Sequence, residues 1–485
     1  MVRNERFLKT AECLKPILNR RTVHAARHTD CMREGDTAVF DFQEHLVGYV
    51  TLAFSSEGSH PDAPAWVELQ FAEREQEYSE SADQYHGWVS KSWIQQERIH
   101  LDTFPDRIRL PRRYSFRYLK VTVLGISAKY RLKVDEAYCE AVSSADNADL
   151  RPYKTEDREL LSLDRIACKT LHDCMQDVFE DGPKRDRRLW LGDLRLQALA
   201  NAYTYRKFDL VKRCLYLFAG STFDNGQISA AVFSEREIEA DDTAMFDYSL
   251  LFVPTLLDYY EATGDRDTLS ELWPAAKKQI SLAAGSFDDR GIVRDSDRLG
   301  WCFVDWNLSL NKQASAQGIY LYCINKAKRI AEILGDTETL RIFSQDYEIK
   351  RNAALNVLYD NETGVFVSGP DRQISIASQV WMILGGAAED AAVLDRAGAV
   401  PDTIGMVTPY LYHHYVQALI DTGRKAQALE VLRSYWGGMA NEGADTFWEL
   451  YDPNNPNASP YGGTIVLSYC HAWSCAPAYF LRKYF

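Results

Sequence analysis

The stretch EATGDRDTL (261–269) shows most directly how the C-terminal part of this chain should fold. It lies between two segments of helical periodicity, at approximately 242–262 and 267–284. Gly264 suits the left-handed residue that ends one helix, and Asp265 suits the N-cap of the next. The stretch therefore predicts two antiparallel helices joined by a tight turn.

The same kind of turn recurs in LGD (334–336) and DTGR (421–424), whereas the other connections are longer. A first helix is expected between about 155 and 178, and eleven more at approximately 189–206, 208–219, 242–262, 267–284, 312–334, 337–357, 373–385, 388–397, 409–422, 425–438 and 466–482. The long loops lie at roughly 180–188, 220–241, 285–311, 358–372, 398–408 and 439–465. Because short and long links alternate between antiparallel helices, the long loops should gather at one end. Twelve helices in six pairs predict an (α/α)6 barrel with its pocket at that end.

Residues from about 37 to 140 show a different period, the alternation of apolar and polar positions that is typical of strands. TAVFDFQEHLVGYVTLAF (37–54) and FRYLKVTVLGI (116–126) are two examples, bounded by Gly, Pro and Asp clusters. We therefore predict two domains. Residues 1–150 should form an antiparallel β-sandwich with a supporting or binding role, and residues 151–485 should form the catalytic barrel.

Composition excludes several classes of partner. The 485 residues carry a formal charge of −14, which argues against nucleic acid because phosphate binding needs a basic surface. The N-terminus (MVRNERFLKT) has no apolar signal segment, and no stretch reaches the ~20 apolar residues of a membrane span. None of the ten cysteines forms a C-x-x-C pair. We therefore expect a cytoplasmic protein with buried free thiols, without metal or cofactor, and leave the oligomeric state open.

The densest polar cluster is EDGPKRDRRLWLGD (180–193), in the first long loop. It combines four carboxylates, four basic groups and a Trp. A charged helix N-terminus would look similar, with Asp186 and Asp193 as cap residues. However, Gly182 and Pro183 fix an irregular turn, and acids interleaved with arginines are the arrangement that tunes carboxylate pKa values.

Later loops supply further candidates, each of which could instead be an exposed loop acid or a packed core residue. They are Trp448 and Glu449 in DTFWELYD (445–452), Asp305 and Trp306 in WCFVDWN (301–307), and His471 in SYCHAWSC (468–475), at the predicted start of the last helix. The chain has no Walker loop, no G-x-S-x-G and no H-E-x-x-H motif. Carboxylates and aromatic residues from several loops are the groups that glycoside hydrolysis uses.

These motifs resemble those of the inverting α-L-rhamnosidases of glycoside hydrolase family 78. DGPKRDRRLWLGD (181–193) is similar to the signature that opens the family's catalytic barrel, a spaced Asp…Arg-Glu…Trp…Asp set. Later similarities follow the family's order: FDFQEHLVGYVTL (40–52), VDWN (304–307), TFWE (446–449) and HAWS (471–474). The resemblance implies a β domain, an (α/α)6 barrel and release of terminal α-L-rhamnose from a carbohydrate substrate with inversion.

The resemblance also implies residue roles. Asp186 takes the position of the general acid and Glu449 that of the general base. The residues expected to hold the sugar are Asp181, Arg185, Trp190 and Asp193, with Asp305, Trp306 and His471 as further pocket candidates. The family's acid is usually Glu, whereas Asp186 is shorter by one methylene, and a displacement of about 1 Å can cost around a hundredfold in rate. A compensating loop, weak activity, or Asp181 or Asp193 as the acid are the alternatives.

Two other functions fit the same residues. One is hydrolysis of another deoxy-sugar or an unsaturated uronyl linkage on the same barrel, and the other is sugar binding without catalysis. Basic groups in the pocket would favour a uronate, whereas an apolar wall against a methyl group would favour rhamnose. Carboxyl groups roughly 6.5–9.5 Å apart predict inversion, and a separation near 5 Å predicts retention.

Overall fold

The computed structural model describes residues 1–26, 29–295, 300–455 and 457–485. Residues 296–299 of the predicted loop 285–311, and residue 456 of the predicted loop 439–465, lie outside the described residues.

An antiparallel sheet dominates the N-terminal region. The strands there are β1 (Val2–Arg3), β2 (Asn19–His24), β3 (Thr37–Gly58), β4 (Ala65–Ala72), β5 (Gln96–Leu101), β6 (Asp106–Arg109), β7 (Tyr114–Gly125) and β8 (Tyr130–Ser143). Strands β2 to β8 form one seven-stranded sheet in the order β2-β8-β3-β7-β4-β5, with β6 also paired to β3. The 22-residue β3 pairs with β8 and with β7, so it forms the centre of the sheet. Alternate residues of β7 are fully buried, among them Leu119, Val121 and Val123, as the period-two pattern predicts.

Helices dominate the rest of the chain. They are α1 (Glu5–Cys13), α2 (Arg158–Cys174), α3 (Leu191–Tyr203), α4 (Phe208–Gly220), α5 (Phe246–Thr263), α6 (Arg266–Ala283), α7 (Gln313–Leu334), α8 (Thr337–Ala353), α9 (Ile376–Leu384), α10 (Ala392–Ala399), α11 (Pro409–Asp421), α12 (Lys425–Val431), α13 (Gly437–Asn441) and α14 (Ala476–Tyr484). Short strands in the loops are β9 (Leu189–Trp190), β10 (Ser221–Thr222), β11 (Ala231–Phe233), β12 (Glu239–Ala240), β13 (Tyr359–Asp360), β14 (Val365–Ser368) and β15 (Gln373–Ile374). Within the described ranges, no helix is both long and apolar enough to cross a membrane.

The tight turns between helices have the predicted chemistry. Gly264 and Gly335 end α5 and α7 in the left-handed conformation, with φ of 73° and 78°. Asp265 accepts the Thr268 backbone N–H at the start of α6, and Asp336 caps α8 in the same way. These local rules place the α5–α6 and α7–α8 hairpins correctly.

The last predicted helix begins ten residues later than expected, at Ala476 instead of 466. The preceding segment has short 3-10 turns at Thr464–Val466 and Ala472–Ser474 and is otherwise irregular. Its backbone N–H groups are bound by carboxylates, since Ser468 donates to Glu449 at 3.2 Å and Tyr469 to Glu73 at 2.6 Å. Those long-range acceptors replace the helical carbonyls, so the apolar periodicity of the segment is misleading.

The first residues of the chain pack on the helical region, although the predicted boundary assigns them to the β domain. Strand β1 pairs with β10, and α1 buries Phe7, Leu8 and Ala11. The ring of Phe7 lies 5.5 Å from that of Tyr216 in α4, and Arg213 of α4 donates to the Ala11 carbonyl at 2.5 Å. Sequence analysis did not predict α1, which is a single amphipathic element of nine residues.

Candidate active site

A cavity of about 350 Å³ lies where three of the predicted long loops meet. The loop after α2 supplies lining residues from 181 to 190, the loop before α7 from 301 to 306, and the loop before α14 from 449 to 473. Asp193 of α3 and residues 243–248 at the start of α5 also line the cavity, as do residues 88–90 of the sheet domain, which sequence analysis did not anticipate. The cavity therefore lies at the contact between the sheet and the helices.

The sheet domain holds the first of these loops in place. Both carboxylate oxygens of Glu180 accept hydrogen bonds from Arg113, at 2.6 and 2.9 Å. Asp181 binds Arg188 twice across the loop, once through its backbone N–H at 3.1 Å and once through its carboxylate at 3.0 Å. Between them, Asp186 adopts the left-handed conformation with φ of 67°, which is uncommon for a residue other than glycine. Glu180 thus anchors the loop, while Asp186 occupies its tip.

Asp181, Asp193 and His471 form a buried group in the cavity wall. His471 Nδ1 lies 3.6 Å from Asp193 Oδ1, and its Nε2 lies 3.9 Å from Asp181 Oδ2. Burial, together with repulsion by neighbouring carboxylates, raises the pKa of Asp181 and of Asp193 well above the usual range. Burial lowers the pKa of His471 to about 4. His471 is therefore uncharged at neutral pH, and burial favours the protonated form of both carboxyl groups.

This group has hydrogen-bonding capacity to spare. Among the described residues, neither Asp193 Oδ1 nor His471 Nδ1 has a hydrogen-bond partner, although both atoms are buried. A protonated carboxyl can donate as well as accept, and a neutral imidazole has one donor and one acceptor. Unpartnered groups of this kind suit the hydroxyls of a neutral sugar, because a buried polar atom costs free energy until it is bonded.

Arg185 joins the two carboxylates for which the family resemblance implies catalytic roles. One terminal nitrogen lies 2.6 Å from both oxygens of Glu449, and the other lies 3.1 Å from Asp186 Oδ1. The Tyr461 hydroxyl also donates to Glu449. Burial alone would raise the pKa of Glu449, but Arg185, His471 and the hydrogen bonds lower it below its usual value. Glu449 is therefore a carboxylate that stays ionised although it is 2% exposed.

Aromatic rings cover much of the remaining wall. They belong to Trp88, Trp190, Tyr248, Trp301, Phe303, Trp306, Tyr461 and Trp473. Trp190 meets Tyr248 edge to face at 6.2 Å, and Trp306 meets Phe303 in the same way at 5.2 Å. An apolar wall facing a few convergent polar groups is the usual construction of a small-ligand pocket.

Two family models match this chain. The model of the bacterial α-L-rhamnosidase six-hairpin glycosidase domain matches residues 151–485, and that of the family 78 α-rhamnosidase N-terminal domain matches residues 16–141. The chain belongs to glycoside hydrolase family 78. The resemblance seen in the sequence is thereby confirmed. As a family member the protein is a glycosidase of the α-L-rhamnosidase type.

Solved structures agree with this assignment. This family 78 protein is 44% identical in sequence to the rhamnosidase from Klebsiella oxytoca that was solved with rhamnose bound. The two structures superpose with a TM-score of 0.96 over 100% of this chain and 99% of the other. The rhamnosidase of Bacillus sp. GL1 is 24% identical, with a TM-score of 0.79 over 94% of this chain and 47% of the other. The α-L-rhamnosidase of Streptomyces avermitilis complexed with L-rhamnose is 18% identical, with a TM-score of 0.70 over 96% and 44%. The last two likenesses show a common fold. No curated protein matches the sequence.

Most of the site residues predicted for this glycosidase meet in the cavity. Its lining includes Asp181, Arg185, Asp186, Trp190, Asp193, Trp306, Glu449 and His471. Asp305 and Trp448 are placed elsewhere. Asp305 accepts hydrogen bonds from the Val407 and Thr408 backbone at 2.8 and 2.9 Å, and the Trp448 ring lies under the Arg74 guanidinium, 4.0 Å from it. Asp305 thus fixes a loop, and Trp448 packs between the domains.

Tyr461 and Trp88 line the cavity but were absent from the predicted site. Tyr461 precedes two glycines in PYGG (460–463), a turn signal that carried no functional weight by itself. Trp88 lies in HGWVSKSW (86–93), far from every barrel motif in sequence. Only the contact between the two domains brings it to the pocket.

One buried cluster behind the cavity has the donor types of a metal site. The donor atoms of His45, Asp173 and Cys470 lie within 4.8 Å of one another. Asp173, however, already accepts hydrogen bonds from Lys169 at 2.7 Å and from His45 at 2.7 Å. The buried carboxylate is thus neutralised by protein cations, so an ion pair accounts for the cluster. The thiols of Cys174 and Cys470 lie 3.9 Å apart, and both are free.

Proposed function

We propose that this family 78 enzyme hydrolyses terminal α-L-rhamnosides by a single displacement with inversion. Glu449 acts as the general base and Asp186 as the general acid. The observation that carries the proposal is the Arg185 guanidinium, which holds Glu449 at one terminal nitrogen and Asp186 at the other. Inverting hydrolysis requires an acid and a base carboxyl group roughly 6.5–9.5 Å apart, so that a water molecule fits between the base and the sugar. A guanidinium placed between Asp186 and Glu449 supports such an arrangement, because it keeps the two carboxyl groups from direct contact.

Glu449 suits the base because it is ionised and enclosed. A general base must carry a free charge before it can take a proton from water, and the pKa of Glu449 lies below its usual value. Arg185 and Tyr461 orient its carboxylate, while the Ser468 backbone N–H binds Oε2 at 3.2 Å. Glu449 therefore accepts the proton of an attacking water on the enclosed side of the sugar.

Asp186 suits the acid because of its position. Its side chain is 21% exposed, whereas those of Asp181 and Asp193 are 5% and 3% exposed. The leaving oxygen must face the opening of the pocket, so the more exposed carboxyl is the one that can reach it. Asp181 and Asp193, whose protonated form is favoured by burial, then hold sugar hydroxyls.

The wall favours rhamnose over a uronate. Within the described lining, Arg185 is bound to Glu449 and Arg188 to Asp241 at 3.1 Å, so both guanidinium groups already hold a protein carboxylate. Met245, Phe303 and Trp473 supply apolar surface. A 6-deoxy sugar has a methyl group where a uronate has a charge, and such a wall accommodates the methyl group.

The finer architecture belongs to the same proposal. We propose that residues 151–485 form an (α/α)6 barrel of six hairpins and that residues 1–150 contain a β-sandwich domain, with the first helix attached to the barrel. The six-hairpin description of the matching family supports the barrel. A cytoplasmic location is also proposed, on the basis of the ten free cysteines, because disulfides are rare in that compartment.

The test compares leaving groups in Asp186→Asn, Glu449→Gln and, as a matched control, Asp193→Asn. Substrates are 2,4-dinitrophenyl and phenyl α-L-rhamnoside and a rhamnosyl-glucose disaccharide, with release of L-rhamnose and its anomeric form followed by NMR. A good leaving group needs no proton. Asp186→Asn should therefore lose about a hundredfold or more in kcat/KM on phenyl rhamnoside and much less on the dinitrophenyl substrate.

Loss of the base gives a different pattern. Glu449→Gln should lose at least about a hundredfold on every substrate, because water activation does not depend on the leaving group. Asp193→Asn should weaken the binding of all substrates by the same factor, whatever their leaving group. If Asp193→Asn shows the leaving-group dependence instead of Asp186→Asn, the acid is Asp193. If wild type cleaves other glycosides but not rhamnosides, the proposed substrate is wrong.

A further inference from the structure

Trp88 belongs to the sheet domain, yet its side chain lines the cavity of the helical domain. Its ring lies 5.4 Å from that of Tyr461 and 6.4 Å from that of Trp306. The indole Nε1 donates a hydrogen bond to the Pro460 carbonyl at 2.8 Å. The polar edge of the ring is thus tied to the opposite domain, while 69% of the residue remains exposed.

The loop that carries Trp88 is pressed against the helical domain. A Cβ atom on Gly87 would lie 1.9 Å from the Tyr461 carbonyl oxygen, so only glycine fits there. The Tyr85 hydroxyl donates to the same carbonyl at 2.7 Å, and Glu80 accepts the Thr464 backbone N–H at 2.9 Å. Trp88 therefore has a fixed position although it is exposed, and a ligand that binds it need not order the loop.

Exposure divides the cavity into an inner and an outer part. The inner polar groups Asp193, Glu449 and His471 are each 2% exposed. Trp88 and Trp301, at 69% and 50%, stand at the opening. Exposed large aromatic residues gathered at one place on a soluble protein mark a binding surface. A terminal sugar that fills the inner part must direct its leaving group past these two rings.

We propose that Trp88 and Trp301 form the subsite for the leaving group, and that this subsite takes groups with a flat, apolar ring face. An aromatic aglycone and the C–H face of a pyranose share that chemistry. The inference rests on the proposed function, since it assigns the inner part of the cavity to rhamnose. In this arrangement the sheet domain contributes directly to substrate selection, because its Trp88 side chain contacts the leaving group.

The test measures binding to the Glu449→Gln protein by calorimetry, so that no ligand is consumed. Methyl α-L-rhamnoside probes the inner part alone, while p-nitrophenyl α-L-rhamnoside and a rhamnosyl-glucose disaccharide add the two kinds of ring. Trp88→Ala is compared with Trp88→Phe, which keeps a ring, and with Trp66→Ala. Trp66 is a matched control because it is an exposed tryptophan of the same sheet, 39% exposed and stacked on His100.

The ring-bearing ligands should bind more tightly than the methyl glycoside. Trp88→Ala should weaken their binding about 3- to 10-fold, the value of one aromatic contact, and leave that of the methyl glycoside unchanged. Trp88→Phe should retain most of the difference in affinity between the ring-bearing ligands and the methyl glycoside. Trp66→Ala should retain all of that difference. Sensitivity of the p-nitrophenyl ligand alone identifies an aromatic aglycone, and sensitivity of the disaccharide alone identifies a pyranose.

Two results would overturn the inference, and they are distinguishable. If the methyl glycoside binds but Trp88→Ala weakens all three ligands equally, or none, Trp88 does not contact the leaving group. If the methyl glycoside fails to bind at all, the assignment of the inner part of the cavity to rhamnose is wrong. The proposed leaving-group subsite is then wrong as well.

Discussion

One terminal nitrogen of Arg185 lies 2.6 Å from both carboxylate oxygens of Glu449. Both side chains are buried, at 5% and 3% exposure, so Arg185 stabilises the charge of the proposed base inside the protein. Arg185 Nε is itself fixed by the Val466 carbonyl at 3.0 Å. The proposed base is thus oriented by an arginine of the loop that carries the proposed acid, and this coupling can be tested.

Arg185→Met should move the acidic limb of the kcat/KM profile to higher pH. Arg185 lowers the pKa of Glu449 against the effect of burial, so without it the carboxylate is protonated at a higher pH and the base is lost earlier. We also expect at least about a tenfold loss at the optimum, because Asp186 and Glu449 lose their common support. Rates measured between pH 4 and 8 provide the check. Arg188→Met, at a guanidinium that binds Asp241, is the control, and an unmoved acidic limb in Arg185→Met would contradict the coupling.

Lys184→Met should destabilise the protein by about 3–5 kcal/mol, because it leaves the buried Glu77 carboxylate without a cation. Lys184 Nζ lies 2.5 Å from Glu77 Oε2 and 4.0 Å from Glu73 Oε2, all of them nearly inaccessible. These contacts join the loop after α2 to the sheet domain. Urea unfolding measures the loss. The Lys184→Met/Glu77→Gln double variant should recover a large part of it, and equal losses in the single and double variants would show that the charge imbalance is not the cause.

His414→Gln should flatten the dependence of stability on pH. Burial lowers the pKa of His414 from its ordinary value of 6.5 to about 3. The contribution of neutral His414 to the free energy of unfolding is complete above pH 6.5 and is lost as the pH falls toward 3. The reason is that, as the pH falls, this histidine is protonated in the unfolded chain before it is protonated in the folded protein. The free energy of unfolding should therefore fall by about 1.4 kcal/mol less per pH unit in the variant between pH 6 and 4. Urea unfolding at several pH values tests this, with exposed His86→Gln as the control. An unchanged slope would contradict the prediction.

Asp305→Ala should reduce stability more than sugar binding. The Asp305 carboxylate accepts hydrogen bonds from the Val407 and Thr408 N–H groups and, at 2.6 Å, from the Thr408 hydroxyl. Loss of a charged acceptor with several buried donors should cost about 2–4 kcal/mol in unfolding free energy. Affinity of the folded protein for L-rhamnose should fall less than in Asp193→Asn. A greater loss of affinity than in that variant would place Asp305 in the sugar site after all.

Local rules account for much of the architecture. Gly264 and Asp265 were sufficient to place the α5–α6 turn, and the alternation in β7 was sufficient to identify a strand, because capping and strand periodicity depend on near neighbours. The same reasoning failed at residues 466–475. The apolar pattern there is helical, but Glu73 and Glu449 bind the backbone from outside the segment.

The sequence by itself determined the two periodicities, the helical hairpins, the family and the carboxylates of the first loop, since each depends on residues close together in the chain. Tertiary structure alone decided which of them act together. Arg185 contacts Glu449 although 264 residues separate them in the chain, and Trp88 of the sheet domain lies beside Tyr461. Asp305 and Trp448, by contrast, lie outside the lining of the pocket. The physical reason is that charge state and burial depend on all the groups around a site, and those groups come from distant parts of the chain.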